Sequence, residues 1–154
     1  MEIIEIISKK EKAKICEDIL RALPEWFGIE KSITDYIAGC QSMIFYAAKM
    51  DGEIIGFVAI QNHNTHVAEI YVMGVLEHFH RRGIGKMLVG KCEEYCKAAR
   101  KELLTVKTLD EPDNTTNYGR TMQFYLRIGF RPLDTFPSHW NEENPCLFMA
   151  KIIK

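Results

Sequence analysis

The stretch HVAEIYVMGVLEHFHRRGIGKMLVGKCEEYCKAARK, residues 66–101, contains the features that decide the fold. Its first ten residues are mostly apolar, which is typical of a buried strand. A polar loop with two glycines follows, and then apolar side chains recur at helical spacing, at Ile84, Leu88, Cys92, Tyr95 and Ala99. Another buried strand is predicted directly afterwards, over 102–109. The stretch therefore predicts a βαβ unit with a right-handed crossover.

The segments on both sides extend this unit into a larger sheet. Ser8 caps a helix that Pro24 stops, and the turns at Asp51-Gly52 and after Asn62 join strands into an antiparallel meander. Strands are predicted over 2–7, 43–50, 53–61, 66–75, 131–136 and 146–153, and helices over 8–23, 31–40 and 115–130. The pattern predicts one α/β (α+β) domain over 1–154, in which a mixed central sheet of about seven strands has helices on both faces.

Composition and charge exclude several classes of protein. With 154 residues, 47% of them hydrophobic, the chain is long enough to bury a core. A formal net charge of -1 gives no general attraction to nucleic acid or to an anionic membrane. No apolar run approaches the ~20 residues of a membrane-spanning helix, and the start, MEIIEIISKKEK, lacks the arrangement of a signal peptide. We therefore expect a cytoplasmic protein without nucleic-acid or membrane partners.

The five scattered cysteines indicate reduced thiols rather than a disulfide framework. Cys92 and Cys96 share one face of the predicted helix, but no second pair of Cys or His residues has matching spacing. His63 and His66 flank a polar turn. We expect no metal.

The segment HRRGIGK, residues 80–86, concentrates the chemistry. Gly83 and Gly85 allow a tight turn where strand gives way to helix, so that free amides at the helix start can point at an anion. The helix dipole and the cations Arg81, Arg82 and Lys86 add positive charge. The segment predicts a phosphate-binding loop, the alternative being a solvated basic turn. It is not a dinucleotide fingerprint, because the third glycine and the downstream ribose-binding acid are missing.

Together, the strand, the basic loop and the long helix resemble the acetyl-coenzyme A motif of the GNAT superfamily of N-acetyltransferases, Gln/Arg-x-x-Gly-x-Gly/Ala. His80 stands at the first position, where the family has Gln or Arg. A second segment, TMQFYLRIGFRPL over 121–133, is similar to the family's Ala-x-x-Phe-Tyr-x-x-x-Gly-Phe signature, with Thr121 in place of Ala. The resemblance in element order covers essentially the whole chain and implies a GNAT fold, whose sheet is splayed at the acetyl-CoA site.

The resemblance also implies which residues contact acetyl-CoA, the expected cosubstrate. Backbone groups of Met73, Gly74 and Val75 would hold the pantetheine arm like an added strand. Asn117 and Tyr118 would line the same arm. The pyrophosphate would lie on Arg81, Arg82, Gly83, Ile84, Gly85 and Lys86.

Two residues are candidates for the chemistry of acetyl transfer. Aminolysis of a thioester needs a neutral amine, a polarised carbonyl and an acid for the departing thiolate. Tyr125, which matches the tyrosine of the signature, is the candidate acid, and the alternative is a core tyrosine beside Phe124. Glu69 is the candidate base, at the offset from Gly83 that the histone acetyltransferase branch of the family keeps. The alternatives are that waters carry the proton and that Glu69 only pairs with a surface lysine.

Aromatic residues are candidates to contact the acceptor amine, since an aromatic face can hold a cation. The resemblance implies an acceptor pocket built by the first two helices, their connecting loop and the last hairpin. The candidates are Trp26, Phe27, Tyr46, His139 and Trp140, and the alternative is that they close the core. Glu142 and Glu143 would attract an amine or form a solvated turn.

The sequence leaves three functions open. The first is direct transfer of the acetyl group to a primary amine of a small molecule. The second is acetylation of a protein Lys or N-terminal amine, and the third is a non-catalytic domain that senses acetyl-CoA. The chain is expected to be a monomer or a homodimer.

Overall fold

In the computed structural model, which describes residues 1–111, 113–141 and 143–154, seven strands form one mixed sheet. The strands are β1 (Glu2–Glu5), β2 (Ile44–Met50), β3 (Glu53–Asn62), β4 (Val67–Val75), β5 (Leu103–Leu109), β6 (Arg131–Asn141) and β7 (Asn144–Ile152). The helices are α1 (Lys9–Arg21), α2 (Glu30–Gly39), α3 (Ile84–Ala98) and α4 (Asn117–Arg127). The strand order across the sheet is β1-β2-β3-β4-β5-β7-β6, which confirms the predicted α/β architecture with a mixed sheet of about seven strands.

The opening in the middle of the sheet comes from β4 and β5. They pair in parallel from Val67 opposite Leu103 to Ile70 opposite Val106, and their pairing ends there. Beyond this point β4 continues to Val75 and β5 continues to Leu109. The predicted splay between the two strands is therefore confirmed.

A β-bulge at Tyr71 lies at the start of this opening. Ala59 of β3 is opposite Val72 while Ile60 is opposite Ile70, so Tyr71 is an extra residue in β4. As a result, Ile70 packs into the core on one face of the sheet and Val72 into the core on the other. Strict alternation along a strand would place both on the same face. The bulge thus re-aims the β4 side chains next to the opening.

Each face of the sheet carries its own apolar core. Leu20 of α1 packs with Phe45 and Phe57 on one face, where α2 also lies. On the other face, Leu88 of α3 and Tyr125 of α4 belong to the second core. Helices therefore cover both faces, as the sequence predicts.

Capping side chains account for the starts of α1 and α4. The Ser8 hydroxyl accepts a hydrogen bond from the Glu11 amide at 3.2 Å, as an N-cap does. The predicted start of the last helix at 115 is wrong, because the Thr116 side chain caps α4 and accepts from the Gly119 amide at 2.9 Å. Ala99 is also a correction, since it is the exposed C-cap of α3 and Cys96 is buried instead. β6 runs five residues past the predicted end at Phe136.

Among the described residues, no helix is long and apolar enough to cross a membrane.

Candidate functional site

The splay of β4 and β5 opens into a cleft of about 170 Å³. Both strands contribute to it past their last pair, and α4, α2 and the segment between α1 and α2 close it from the sides. Seven of its residues are aromatic. The described residues that line it are Trp26, Phe27, Gly28, Ile29, Ser32, Tyr36, Ile70, Tyr71, Val72, Met73, Val106, Lys107, Thr108, Leu109, Tyr118, Thr121, Tyr125, Trp140 and Asn144.

A loop at the start of α3, which we call the anion loop (residues 81–86), has the backbone of an anion site. Gly83 adopts φ 79°, a left-handed conformation that favours glycine, and Arg81 adopts φ 62°. The amides of Gly83 to Lys86 donate to no backbone carbonyl in the part of the chain that the structure describes. Free amides, the helix dipole and the exposed side chains of Arg81, Arg82 and Lys86 therefore combine at one place.

The second glycine of this loop is required by packing. A Cβ atom on Gly85 would lie 3.1 Å from the Phe124 ring of α4 and 3.9 Å from the Met73 side chain of β4. The anion loop therefore sits directly against the strand and the helix that form the cleft. A Cβ atom on Gly83 would have no atom within 4 Å. Glycine is therefore favoured at this position only by its left-handed φ.

His80, directly before the anion loop, contacts both β4 and the segment between α1 and α2. Its Nε2 lies 2.6 Å from the Val75 carbonyl oxygen, and its ring contacts Trp26 edge to face at 5.2 Å between centroids. Where the family motif has Gln or Arg, this chain thus has a side chain that ties β4 to the segment between α1 and α2. This contact uses the Val75 carbonyl, one of the backbone groups predicted to hold the pantetheine arm, and the contact of Met73, Gly74 and Val75 with that arm stays a prediction.

Tyr125 presents a free hydroxyl to the cleft. The residue is 5% exposed, and its ring packs edge to face between Phe124 and Phe130 at 5.1 and 5.4 Å. Its hydroxyl forms no hydrogen bond with any described residue, and it is not sealed from solvent. Burial raises the pKa of Tyr125 above its ordinary value, and Cys92 and Tyr36 act in the same direction. The phenol is therefore a neutral donor without a hydrogen-bond partner among the described residues.

Comparison with known proteins agrees with this geometry. A family model described as the acetyltransferase (GNAT) family matches residues 13–130. The chain belongs to the acetyltransferase (GNAT) family. An uncharacterized N-acetyltransferase of Chlorobaculum tepidum is 31% identical over 105 residues, and the match spans 66% of this chain but only 61% of that relative.

Solved structures share the GNAT fold over nearly the whole chain. An aminoglycoside 6'-N-acetyltransferase complexed with coenzyme A superposes with a TM-score of 0.80 at 20% identity, covering 100% of this chain and 98% of that one. The ribosomal-protein-S18-alanine N-acetyltransferase from Escherichia coli superposes with a TM-score of 0.77 at 13% identity, covering 99% and 95%. Since these two proteins have different substrates, the GNAT fold does not by itself identify the acceptor.

The two residues predicted to line the cofactor arm take different positions. Tyr118 lines the cleft, and its hydroxyl donates to the Trp26 carbonyl oxygen at 3.0 Å. Asn117 does not line the cleft, because its amide donates to Glu25 at 2.9 Å and its oxygen accepts from Arg120. Both contacts join the start of α4 to the segment between α1 and α2. Their contact with a cofactor stays a prediction.

Glu69 is buried and already paired. Its carboxylate accepts from Lys107 Nζ at 2.8 and 3.0 Å and lies 2.6 Å from His63 Nε2. It is not among the residues that line the cleft, whereas Lys107 is. The alternative of a lysine partner is therefore the arrangement observed, with the half-buried Lys107, and a role of Glu69 as the base, directly or through water, stays a prediction.

Three of the five side chains predicted to contact the acceptor line the cleft. Trp26, Phe27 and Trp140 line it. Tyr46 does not, because alternation along β2 places Phe45 and Ala47 on the α1 face and turns Tyr46 to the face that α3 covers.

The other predicted acceptor contacts fall outside the lining. His139 packs on Trp140 and Phe148, at 5.8 Å in each case, and does not reach the cleft. Glu143 is exposed, and Glu142 lies outside the described residues.

Sequence reasoning missed several lining residues, namely Ser32, Tyr36, Tyr71, Lys107, Thr108 and Asn144. For most of them no motif exists. Lys107 did carry a signal, since it is a charged residue within the otherwise uncharged strand LLTVKTL.

Proposed function

We propose that the protein is an acetyl-CoA-dependent N-acetyltransferase that acts on a primary amine of a small molecule. One observation carries the proposal: the free Tyr125 hydroxyl faces the cleft where β4 and β5 part. The anion loop lies beside the same cleft, because Gly85 packs on Phe124, the residue next to Tyr125.

The residues present fit acetyl-CoA. The free amides and cations of the anion loop suit its pyrophosphate. The edge of β4 beyond Ile70 has lost its β5 partner, so an extended pantetheine arm can align along Met73 and Gly74. When bound, acetyl-CoA supplies a thioester, which is an activated acyl donor.

The Tyr125 hydroxyl is the protein group that would stabilise the charge on the departing sulfur during acetyl transfer. In the reaction a bond forms between the amine nitrogen and the acetyl carbon, the carbon–sulfur bond breaks, and a proton from the nitrogen ends on the thiol. A phenol with a raised pKa is a weaker acid than a thiol of pKa ~8.5. Tyr125 therefore stabilises the charge on sulfur by a hydrogen bond and gives up its proton only as the proton from nitrogen replaces it.

The walls of the cleft favour a compact acceptor over an extended peptide. The Tyr118 hydroxyl holds the Trp26 carbonyl, and Asn117 holds Glu25, so the segment between α1 and α2 is tied to α4. Trp140 of β6 adds a wall from the hairpin side. An extended peptide needs a groove that is open at both ends.

The test is release of free thiol from acetyl-CoA by the purified protein with a panel of small amines and Lys- or Ala-terminated peptides. The readout is clean because the five cysteines are all buried. Turnover of small amines alone supports the proposal. Turnover of peptides alone would show a protein acetyltransferase, and tight acetyl-CoA binding without turnover of any amine would show a sensor.

We also infer that the protein works in the cytoplasm, since its free thiols suit a reducing compartment. It acts as a monomer or a homodimer, which light scattering of the purified protein distinguishes.

A further inference from the structure

We propose that the acceptor is a primary amine that also carries a carboxylate and a large apolar body, as aromatic and large aliphatic amino acids do. This inference rests on the proposed function and names its substrate class. It is carried by the position of Lys107 and by the aromatic walls around it.

Lys107 is the charged group of the cleft. It follows Val106, the last β5 residue paired with β4, so its side chain stands where the two strands part. It is the only Lys, Arg, Asp or Glu among the described residues that line the cleft. An acceptor in this cleft therefore meets a cation.

In the ion pair between Lys107 and Glu69, the lysine is the partner that lines the cleft. The Lys107 side chain is 25% exposed and that of Glu69 is 4% exposed. An ammonium group has three donors. Both short contacts of Lys107 go to one carboxylate, at 2.8 and 3.0 Å, so donor capacity remains on the accessible side.

Other contacts hold this ammonium in place. Lys107 Nζ lies 5.1 Å from the centroid of the Phe148 ring, on the strand that neighbours β5. Glu69 is itself shared, because His63 Nε2 lies 2.6 Å from its Oε1. A positioned ammonium with a free donor is suited to pair with a carboxylate of the acceptor.

The remaining lining suits an apolar body rather than a second cation. Trp26, Phe27, Tyr36, Tyr71 and Trp140 supply aromatic surface. Burial raises the pKa of Tyr36 to about 12, so this phenol stays neutral in the cleft. A polyamine or an aminoglycoside would bring several positive charges to a cleft whose described lining residues include no Asp or Glu to pair with them.

The first experiment uses the unaltered protein and matched amines. L-Phenylalanine is compared with phenethylamine and L-phenylalaninamide, and L-tryptophan with tryptamine, with spermidine and kanamycin as polycations. We expect kcat/KM for each amino acid to exceed that of its carboxylate-free partner by at least about tenfold. Equal or reversed preference, or a preference for a polycation, overturns the inference while leaving the proposed function intact.

A second experiment measures the ratio of the two kcat/KM values in variants, because a ratio does not depend on how much protein is folded. Lys107→Gln should bring the ratio of L-phenylalanine to phenethylamine close to one, and Lys107→Arg should keep it well above one. Lys151→Gln is the matched control, since Lys151 is also half-buried and pairs with Glu93 at 3.0 Å on α3. A ratio that is unchanged in Lys107→Gln overturns the inference.

A binding measurement covers the case in which Lys107→Gln does not fold. The unaltered protein is titrated with N-acetyl-L-phenylalanine and with N-acetyl-L-phenylalaninamide, which differ in the carboxylate. We expect the acid to bind at least about tenfold more tightly, and its advantage to shrink as salt is added. Equal affinity for both contradicts the role of Lys107. Failure of the proposed function is a separate result, seen as absence of acetyl-CoA binding or of turnover with any small amine.

Discussion

In the proposed enzyme, the two halves of the cleft would recognise their ligands by different means. On the cofactor side, the anion loop offers backbone amides, a helix dipole and a left-handed glycine, and β4 offers an unpaired edge. On the acceptor side, the proposal relies on side chains from α2, β4, β5 and β6 and from the segment before α2. The cofactor side is therefore set by backbone shape, whereas the acceptor side is set by which side chains the sheet brings together.

This difference explains why relatives with one fold can have different acceptors. The anion loop depends on Gly83 for its φ of 79° and on Gly85 for its close packing against Phe124. Exchange of Lys107 or Trp140 would change the lining of the cleft, and exchange of Lys107 would also leave the buried Glu69 carboxylate without its lysine partner. Substitutions on one side of the cleft should therefore leave ligand binding on the other side largely unchanged.

The largest expected effect is on the cofactor side. Gly83→Glu adds a carboxylate beside the phosphates and a side chain at φ 79°. We expect affinity for acetyl-CoA to fall by a factor of about 1,000, as measured by calorimetry. Gly90→Glu is the matched control, because it adds the same charge to α3 at a site with nothing within 4 Å of its Cβ position. If both variants bind alike, the anion loop does not hold the phosphates.

Tyr125→Phe should separate chemistry from binding. It removes the free hydroxyl and keeps the ring contacts with Phe124 and Phe130. We expect kcat to fall about 100-fold, while the Kd of acetyl-CoA changes less than about twofold. Full turnover in this variant would contradict the role given to the hydroxyl.

The pH profile tests the protonation state of the same group. The buried Tyr125 keeps its proton above the ordinary pKa of a phenol, about 10, so it does not ionise at lower pH. The neutral fraction of the amine grows with pH, and kcat/KM should rise about tenfold per unit until the pKa of the amine is reached. A descending limb below about pH 9 would show that another group supplies the proton.

A smaller effect is expected on the acceptor side. Trp140→Ala removes an aromatic wall of the cleft, and we expect kcat/KM for the amine to fall about fivefold, with acetyl-CoA affinity unchanged. Leu133→Ala is the control on the same strand, because Leu133 is exposed and does not line the cleft. A loss of acetyl-CoA affinity in Trp140→Ala would show that the two halves are not independent.

The same contrast decides what the sequence could predict. Ser8, Asp51-Gly52 and Gly83 act within a few residues of themselves, and each takes the predicted conformation. The bulge at Tyr71 was not predictable, because it depends on the register between β3 and β4. The prediction that Tyr46 contacts the acceptor is wrong. The side of the sheet on which Tyr46 lies has a meaning only once it is known which helices cover that side. Glu69 and Lys107 are 38 residues apart, and no local sequence pattern predicts their pairing.

The most direct test of the central claim is to incubate the unaltered protein with acetyl-CoA and the amine panel and to identify the products by mass spectrometry. The account predicts an N-acetylated small amine together with free coenzyme A, and neither product with Gly83→Glu. No acetylated amine, or equal product from the unaltered protein and Gly83→Glu, would contradict it.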